Sequence, residues 1–186
     1  MVGDKGKVVV FEPSNENLKY LTKNIDFLDE NLKSIISIVQ KGAGDIVGEL
    51  DFYIDPISGQ NNSFVKDFDG FKTSRAHSAD TNVDVEIQKV PVITLDSFYE
   101  NETKFPDFVK IDVEGFEWNV IQGFKQTIEK AKPNLMIEIQ SDEDKIINYF
   151  KGIGYVIYND KLESINSIED YKRKRSANIF FKWGQK

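Results

Sequence analysis

The chain has 186 residues, 40% of them hydrophobic and 30% charged, a balance that suits one globular domain with a buried core. It contains no cysteine, which excludes disulfides, iron–sulfur clusters and thiol catalysis, and a lone His77 leaves little for a zinc site, so no metal is expected. A formal charge of -7 argues against a nucleic-acid backbone as partner, and no apolar run has the length of a membrane span or of a secretion-signal core, so a soluble cytoplasmic protein is expected.

Residues 7–11 are an apolar, β-branched run ending at Glu12-Pro13-Ser14, after which Leu18, Leu21, Ile25 and Leu28 recur at helical spacing. This pattern predicts a strand and then a helix, with Ser14 as N-cap and Glu16 in the first turn. Residues 34–39 and 50–54 are the next strand candidates. From 55 to 84 the chain is rich in Asn, Ser, Gly and Asp with scattered aromatics, and reads as a long loop or insertion of the kind that carries specificity. Residues 83–95 read as extended, with Pro91 marking an edge or a bulge.

The second half is more regular. Residues 108–111 read as a buried strand, and residue 115 opens an amphipathic helix with Val120, Ile121, Phe124 and Ile128 on one face, stopping at Lys130-Ala131-Lys132-Pro133. Residues 134–139 form another buried strand. Ser141-Asp142-Glu143-Asp144 then starts a helix whose apolar face is Ile146, Ile147 and Phe150, ended by Gly152 and Gly154. Residues 155–158 and 177–182 are the last strand candidates, and the long polar connection between them allows a closing antiparallel pair. Within that connection Lys172-Arg173-Lys174-Arg175 reads as a solvated loop. No repeat or linker divides the chain, so a single domain over residues 1–186 is expected.

The run DFVKIDVEGFEWNVIQGF is the most informative. Its strand ends on Asp112 and Glu114, which places both acids at the carboxyl edge of a sheet, where open α/β sheets bind ligands. The plainer reading is that Asp112 caps a turn while Glu114 and Glu117 favour the positive end of the following helix. A second motif, Gly42-Ala43-Gly44-Asp45-Ile46-Val47-Gly48, has the composition of a dinucleotide phosphate loop, which works only if a helix N-terminus follows it. Residues 49–54 alternate polar and apolar as a strand does. The expectation is therefore a strand end and a hairpin turn at Gly48, with residues 43–45 near a ligand edge.

Taken in order and spacing, VVVFEPSNENLKYLTKNI, KGAGDIVGELDFY, VPVITLDSF, DFVKIDVEGFEWNVIQGF and NLMIEI resemble the FkbM-type S-adenosylmethionine-dependent methyltransferases over nearly the whole chain. The resemblance implies an α/β fold of the class I methyltransferase (Rossmann-like) type, mostly parallel with a C-terminal antiparallel strand pair. Its strand order would be 3-2-1-4-5-7-6, with residues 7–11 as the second strand, 34–39 as the third, 108–111 as the fourth and 135–139 as the fifth. It also implies S-adenosylmethionine as cofactor, held by Glu12, Ser14, Gly44, Asp45 and Asp112. Glu12 would take the ribose hydroxyls, Gly44 and Asp45 would lie near adenine, and Asp112 would face the methionine end. Asp112 and Glu114 are the catalytic candidates, either one a base for a sugar, lipid or small-metabolite hydroxyl. His77 is a weaker base candidate, more naturally a surface residue.

The chain departs from the family pattern at its front. The first strand, its following helix and the acidic glycine-rich loop expected before FEPSNEN are missing, so the domain reads as N-terminally truncated and S-adenosylmethionine binding by residues 1–186 is expected to be weak or absent. Two other readings stay open: a non-catalytic remnant binding a partner through Phe64, Phe68 and Phe71, and a nucleotide-dependent oxidoreductase using residues 42–48, which a strand after Gly48 would eliminate.

Overall fold

The structure is a computed structural model that describes residues 2–3, 6–55, 57, 59–76 and 84–184; His77 lies outside the described residues. It is a mixed α/β fold with ten strands and eight helices among those residues. Strand β1 (Val8–Phe11) pairs in parallel with β2 (Ile36–Val39), with Val8 opposite Ile36. Helices α1 (Asn15–Asp26) and α2 (Glu30–Lys33) form the crossover. The Ser14 hydroxyl accepts the Asn17 N–H at 3.3 Å, so the N-cap read from the sequence starts α1.

A second sheet follows in the order β3-β5-β4, built from β3 (Gly42–Ala43), β4 (Gly48–Ile54) and β5 (Glu86–Ile93). Between β4 and β5 lie the segment 55–84 and, within it, α3 (Asp69–Ala76). After α4 (Leu95–Tyr99) come β6 (Phe108–Ile111), α5 (Glu117–Gln122), α6 (Lys125–Ala131), β7 (Asn134–Glu138), α7 (Glu143–Gly152), β8 (Tyr155–Tyr158), β9 (Ser164–Ile165), α8 (Ile168–Arg173) and β10 (Asn178–Trp183). The third sheet runs β6-β7-β10-β8-β9, with β6 and β7 parallel and β10 inserted antiparallel between β7 and β8.

The core sits on this third sheet. Val120, Ile121, Phe124 and Ile128, the face read from the sequence, are all buried, as are Ile146, Ile147 and Phe150 of α7. They pack with Leu135, Ile137, Ile157, Ile179 and Phe181, and the Phe150 and Phe181 rings lie 4.3 Å apart. Each such side chain contributes about 1.5–3 kcal/mol by leaving water. The β1–α1–α2–β2 unit is packed very differently. Its two helices bury no residue completely, Phe27 is 79% exposed, and its aromatic tie to the rest is Phe11 set edge-on to Phe98 at 5.1 Å. Among the described residues β1 pairs on one edge with β2 alone and β6 on one edge with β7 alone, leaving one open edge on each.

Several expectations need correction. Parallel and antiparallel pairings are mixed rather than mostly parallel, because β4, β8, β9 and β10 all pair antiparallel. Gly48 begins a strand instead of making a hairpin turn: β5 intervenes, parallel to β3 and antiparallel to β4. Pro91 does sit at an edge, since β3 reaches β5 only at Val92 and Ile93. The helix expected from residue 115 onward is two helices. A Cβ on Gly123 would stand 1.8 Å from the Gly44 carbonyl oxygen, so the backbone of the β3 tip occupies the space where a continuous helix would carry a side chain. Asp96 then restarts the coil, its carboxylate accepting the N–H groups of Gln126 at 3.1 Å and Thr127 at 2.8 Å. At the start of α7, Asp142 takes φ 53 and makes no side-chain cap bond.

Candidate active site

Glu12 is the first residue beyond β1. Its N–H donates to the Val39 carbonyl at 3.2 Å, which ties it to the tip of β2, and its Oε1 accepts the Ser14 N–H at 2.8 Å. Burial pushes its carboxyl above the usual range, with the Ser14 N–H and the Asn17 amide pulling back. Ser14 is 2% exposed, and its hydroxyl oxygen is engaged in the α1 cap.

Gly44 and Asp45 lie on α5. The absence of a side chain at Gly123 lets the β3 tip approach, and a Cβ on Gly44 itself would meet Val92 and Phe116 at 2.9 and 3.0 Å. From this position Asp45 Oδ2 accepts the Asn119 amide at 3.1 Å. Among the described residues its other oxygen accepts no hydrogen bond.

Asp112 follows β6 directly and accepts Lys110 Nζ at 2.5 Å, an exposed pair that adds little stability. Glu114 takes φ 51, a left-handed conformation uncommon for a side-chain-bearing residue. Its carboxyl is pushed up to about 7, first by burial and then by the negative charges of Asp112, Glu138 and Glu117, with Lys110 opposing. Such a group exchanges its proton at neutral pH.

The sequence reading gave Glu117 only the part of a charge at the helix start, whereas it is the most buried acid of this region at 0% exposure. Oε1 accepts the Gly115 N–H at 2.8 Å and Oε2 the Gln140 N–H at 3.3 Å, so one carboxylate joins the turn after β6 to the turn after β7. The signal was present: Glu117, Ile121, Phe124 and Ile128 share one helical stripe, which put an acid on a face otherwise apolar.

The segment after β4 is ordered by Asp55. This buried carboxylate accepts the Ser74 hydroxyl at 2.6 Å and the Asn61 amide at 3.3 Å, closing the insertion on itself. Its aromatics turn inward. Phe64 lies between Phe52 and Phe116, Phe71 is buried, and Phe68 stacks against Gly115. Phe64 and Phe68 are partly buried against these neighbouring residues. The strand at Gly48 removes the phosphate-loop reading.

The structure thus brings Asp112, Glu114 and Glu117 together at the turn before α5, while Asp45 packs beside Gly123 at the other end of that helix. Glu12 stands on the separate β1–β2 unit and exchanges no hydrogen bond with Asp112 or Glu114 among the described residues. The insertion approaches both, because a Cβ on Gly59 would lie 3.9 Å from Asn17 Oδ1 while Ser63 bonds the Glu114 carbonyl. Two shallow depressions, on α1 and on α8, include none of Glu12, Asp45, Asp112 or Glu114. Among the described residues no cluster of His, Asp and Glu is arranged to hold a metal ion, and no helix is long and apolar enough to cross a membrane.

The chain is similar to a crystal structure of methyltransferase FkbM from Methylobacillus flagellatus KT, with a TM-score of 0.56 and 20% identity. That match covers 95% of this chain and 36% of the other, so this chain spans about a third of that protein's length. The likeness supports the fold. No curated protein matches. The model of the methyltransferase FkbM domain matches residues 1–157, which take in both strand tips, the insertion and α5; the chain belongs to the FkbM methyltransferase family.

Proposed function

We propose that the chain acts as an S-adenosylmethionine-dependent methyltransferase on a hydroxyl of a sugar, lipid or small metabolite. The observation that supports this most is the placement of acids immediately after parallel strands, Glu12 after β1 and Asp112 after β6. The observed orders β2-β1 and β6-β7-β10-β8 correspond to 3-2 and 4-5-7-6 of the class I order. One further parallel strand between the open edges of β1 and β6 would complete the sheet and carry the glycine-rich turn.

The donor set fits the cofactor's chemistry. Glu12 keeps acceptor capacity beyond its bond to Ser14 and can take a ribose diol; the unpaired oxygen of Asp45 can take an exocyclic amine. When bound, S-adenosylmethionine supplies an electrophilic methyl group on a sulfonium. The protein's own contribution is to hold the acceptor hydroxyl at the β6 edge and to remove its proton. Asp112 or Glu114 receives it, and for Glu114 this role opens as pH rises past about 7. Positioning supplies most of the remaining acceleration.

Calorimetry tests the reading. Residues 1–186 alone are expected to bind S-adenosylmethionine weakly or not at all, and micromolar binding would refute the need for a further strand. In the full-length protein, Glu12→Ala is expected to weaken binding about 10- to 100-fold, the worth of one or two charge-assisted hydrogen bonds. Unchanged affinity would refute the role of Glu12.

A further inference from the structure

The backbone from the Glu114 carbonyl to the Gly115 carbonyl is held by side chains from three separate parts of the chain. The Ser63 hydroxyl donates to the Glu114 carbonyl at 2.6 Å, Glu117 Oε1 accepts the Gly115 N–H at 2.8 Å, and the Ser141 hydroxyl donates to the Gly115 carbonyl at 2.7 Å. Three consecutive backbone polar groups are thus satisfied without any help from regular secondary structure. A left-handed residue carrying a side chain costs about 1–3 kcal/mol and persists where its surroundings over-determine it.

Ser63 is itself rigidly placed. It is 0% exposed, its backbone exchanges two hydrogen bonds with Tyr53 of β4 at 2.8 and 3.0 Å, and its Oγ accepts the Val65 N–H at 2.9 Å. It therefore acts as a strut from β4 to the turn after β6. Val65 and Phe68, from the same insertion, lie over Gly115, where a Cβ would meet them at 3.6 and 3.0 Å.

We propose that Ser63 and Ser141, with Glu117, are positioning residues that clamp Glu114 in its left-handed conformation, so that the insertion, through Ser63, and the turn after β7, through Ser141, together govern how this acid is presented at the sheet edge. Their effect passes through the backbone, not through contact with a reacting atom. The inference deepens the reading of Glu114 as a site acid by naming what sets its geometry and its ionisation.

The charged groups facing Glu114 are Lys110 of β6, Asp112 just beyond it, Glu138 of β7 and Glu117 of α5, while the described residues of the insertion that lie over the turn, Val65 and Phe68, are uncharged. Changing either serine to alanine leaves all of those charges in place. A shift in Glu114 ionisation then reports conformation alone.

The test is a carboxyl carbon NMR titration of the full chain, with the Glu114 resonance assigned by its loss in Glu114→Gln. Wild type is expected to titrate near the value of about 7. Ser63→Ala and Ser141→Ala are each expected to lower that midpoint by about half a pH unit or more, as the released turn lets water reach the carboxyl. An unmoved midpoint in both folded variants would overturn the proposal, and so would loss of the fold in both, which would make the hydroxyls structural. The titration needs neither donor nor acceptor, so the clamp is judged independently of methyl transfer.

Discussion

Gly123→Ala is the most incisive single change, because one methyl group meets a backbone and not a side chain that can swing away. The new Cβ would stand 1.8 Å from the Gly44 carbonyl oxygen, 2.9 Å from its carbon and 3.2 Å from Asp45 Cα. Relief requires the β3 tip to move off α5 by more than 1 Å, roughly the shortfall from an ordinary contact of about 3.4 Å once neighbouring atoms share the strain. Such overpacking costs about 1–3 kcal/mol, and breaking the Asn119–Asp45 hydrogen bond adds about 0.5–1.5. Alanine's better helix propensity returns at most about 1 kcal/mol. The net loss of about 1–3 kcal/mol corresponds to a fall in melting temperature of several degrees for a chain of this size, at about 2–4 °C per kcal/mol. Gly152→Ala is the control: nothing lies within 4 Å of its Cβ, and it is expected to be neutral or slightly stabilising. Circular dichroism melts of the two variants beside wild type decide the matter, and a Gly123→Ala protein as stable as the control would refute the close-approach argument.

The remaining predictions concern charge and capping. Glu114 holds its proton in the folded state up to about 7, whereas the unfolded chain releases it near 4.5, so stability is expected to fall by about 1–2 kcal/mol, after allowance for solvent screening, as pH rises through that window. Glu114→Gln should flatten this part of a urea-denaturation pH profile; an unchanged slope would assign it to another group. Asp96→Ala removes both acceptors at the start of α6 and is expected to cost about 0.5–2 kcal/mol in a thermal melt.

What could be read in the sequence was local. The β6–α5 junction was legible because an apolar run, two acids and a helical stripe follow one another within twenty residues, each interpretable by its period. Ser14 was legible as a cap because its partner is three residues away. The break at Gly123 was hidden because its cause, the Gly44 carbonyl, lies far upstream, and the restart of α6 depends on an acid thirty residues before it. Helix α3 was hidden for a similar reason: its Ser74 is bonded to Asp55 across nineteen residues, in a stretch whose composition says only loop. For the site, Glu12, Asp112 and Glu114 stood out as acids at strand ends, whereas Ser63 and Ser141 matter through main-chain groups that no side-chain pattern announces.

The reach of those two serines has a kinetic consequence. Ser63 and Glu114 are 51 positions apart, and Ser141 and Gly115 are 26, so both bonds must await long loop closures that helices α5 to α7 do not require. A refolding chain would bury its isoleucines and phenylalanines first and acquire the Glu114 geometry only when the insertion docks. The clamped turn after β6 would then lag behind collapse, and a species with native helix content would still lack it.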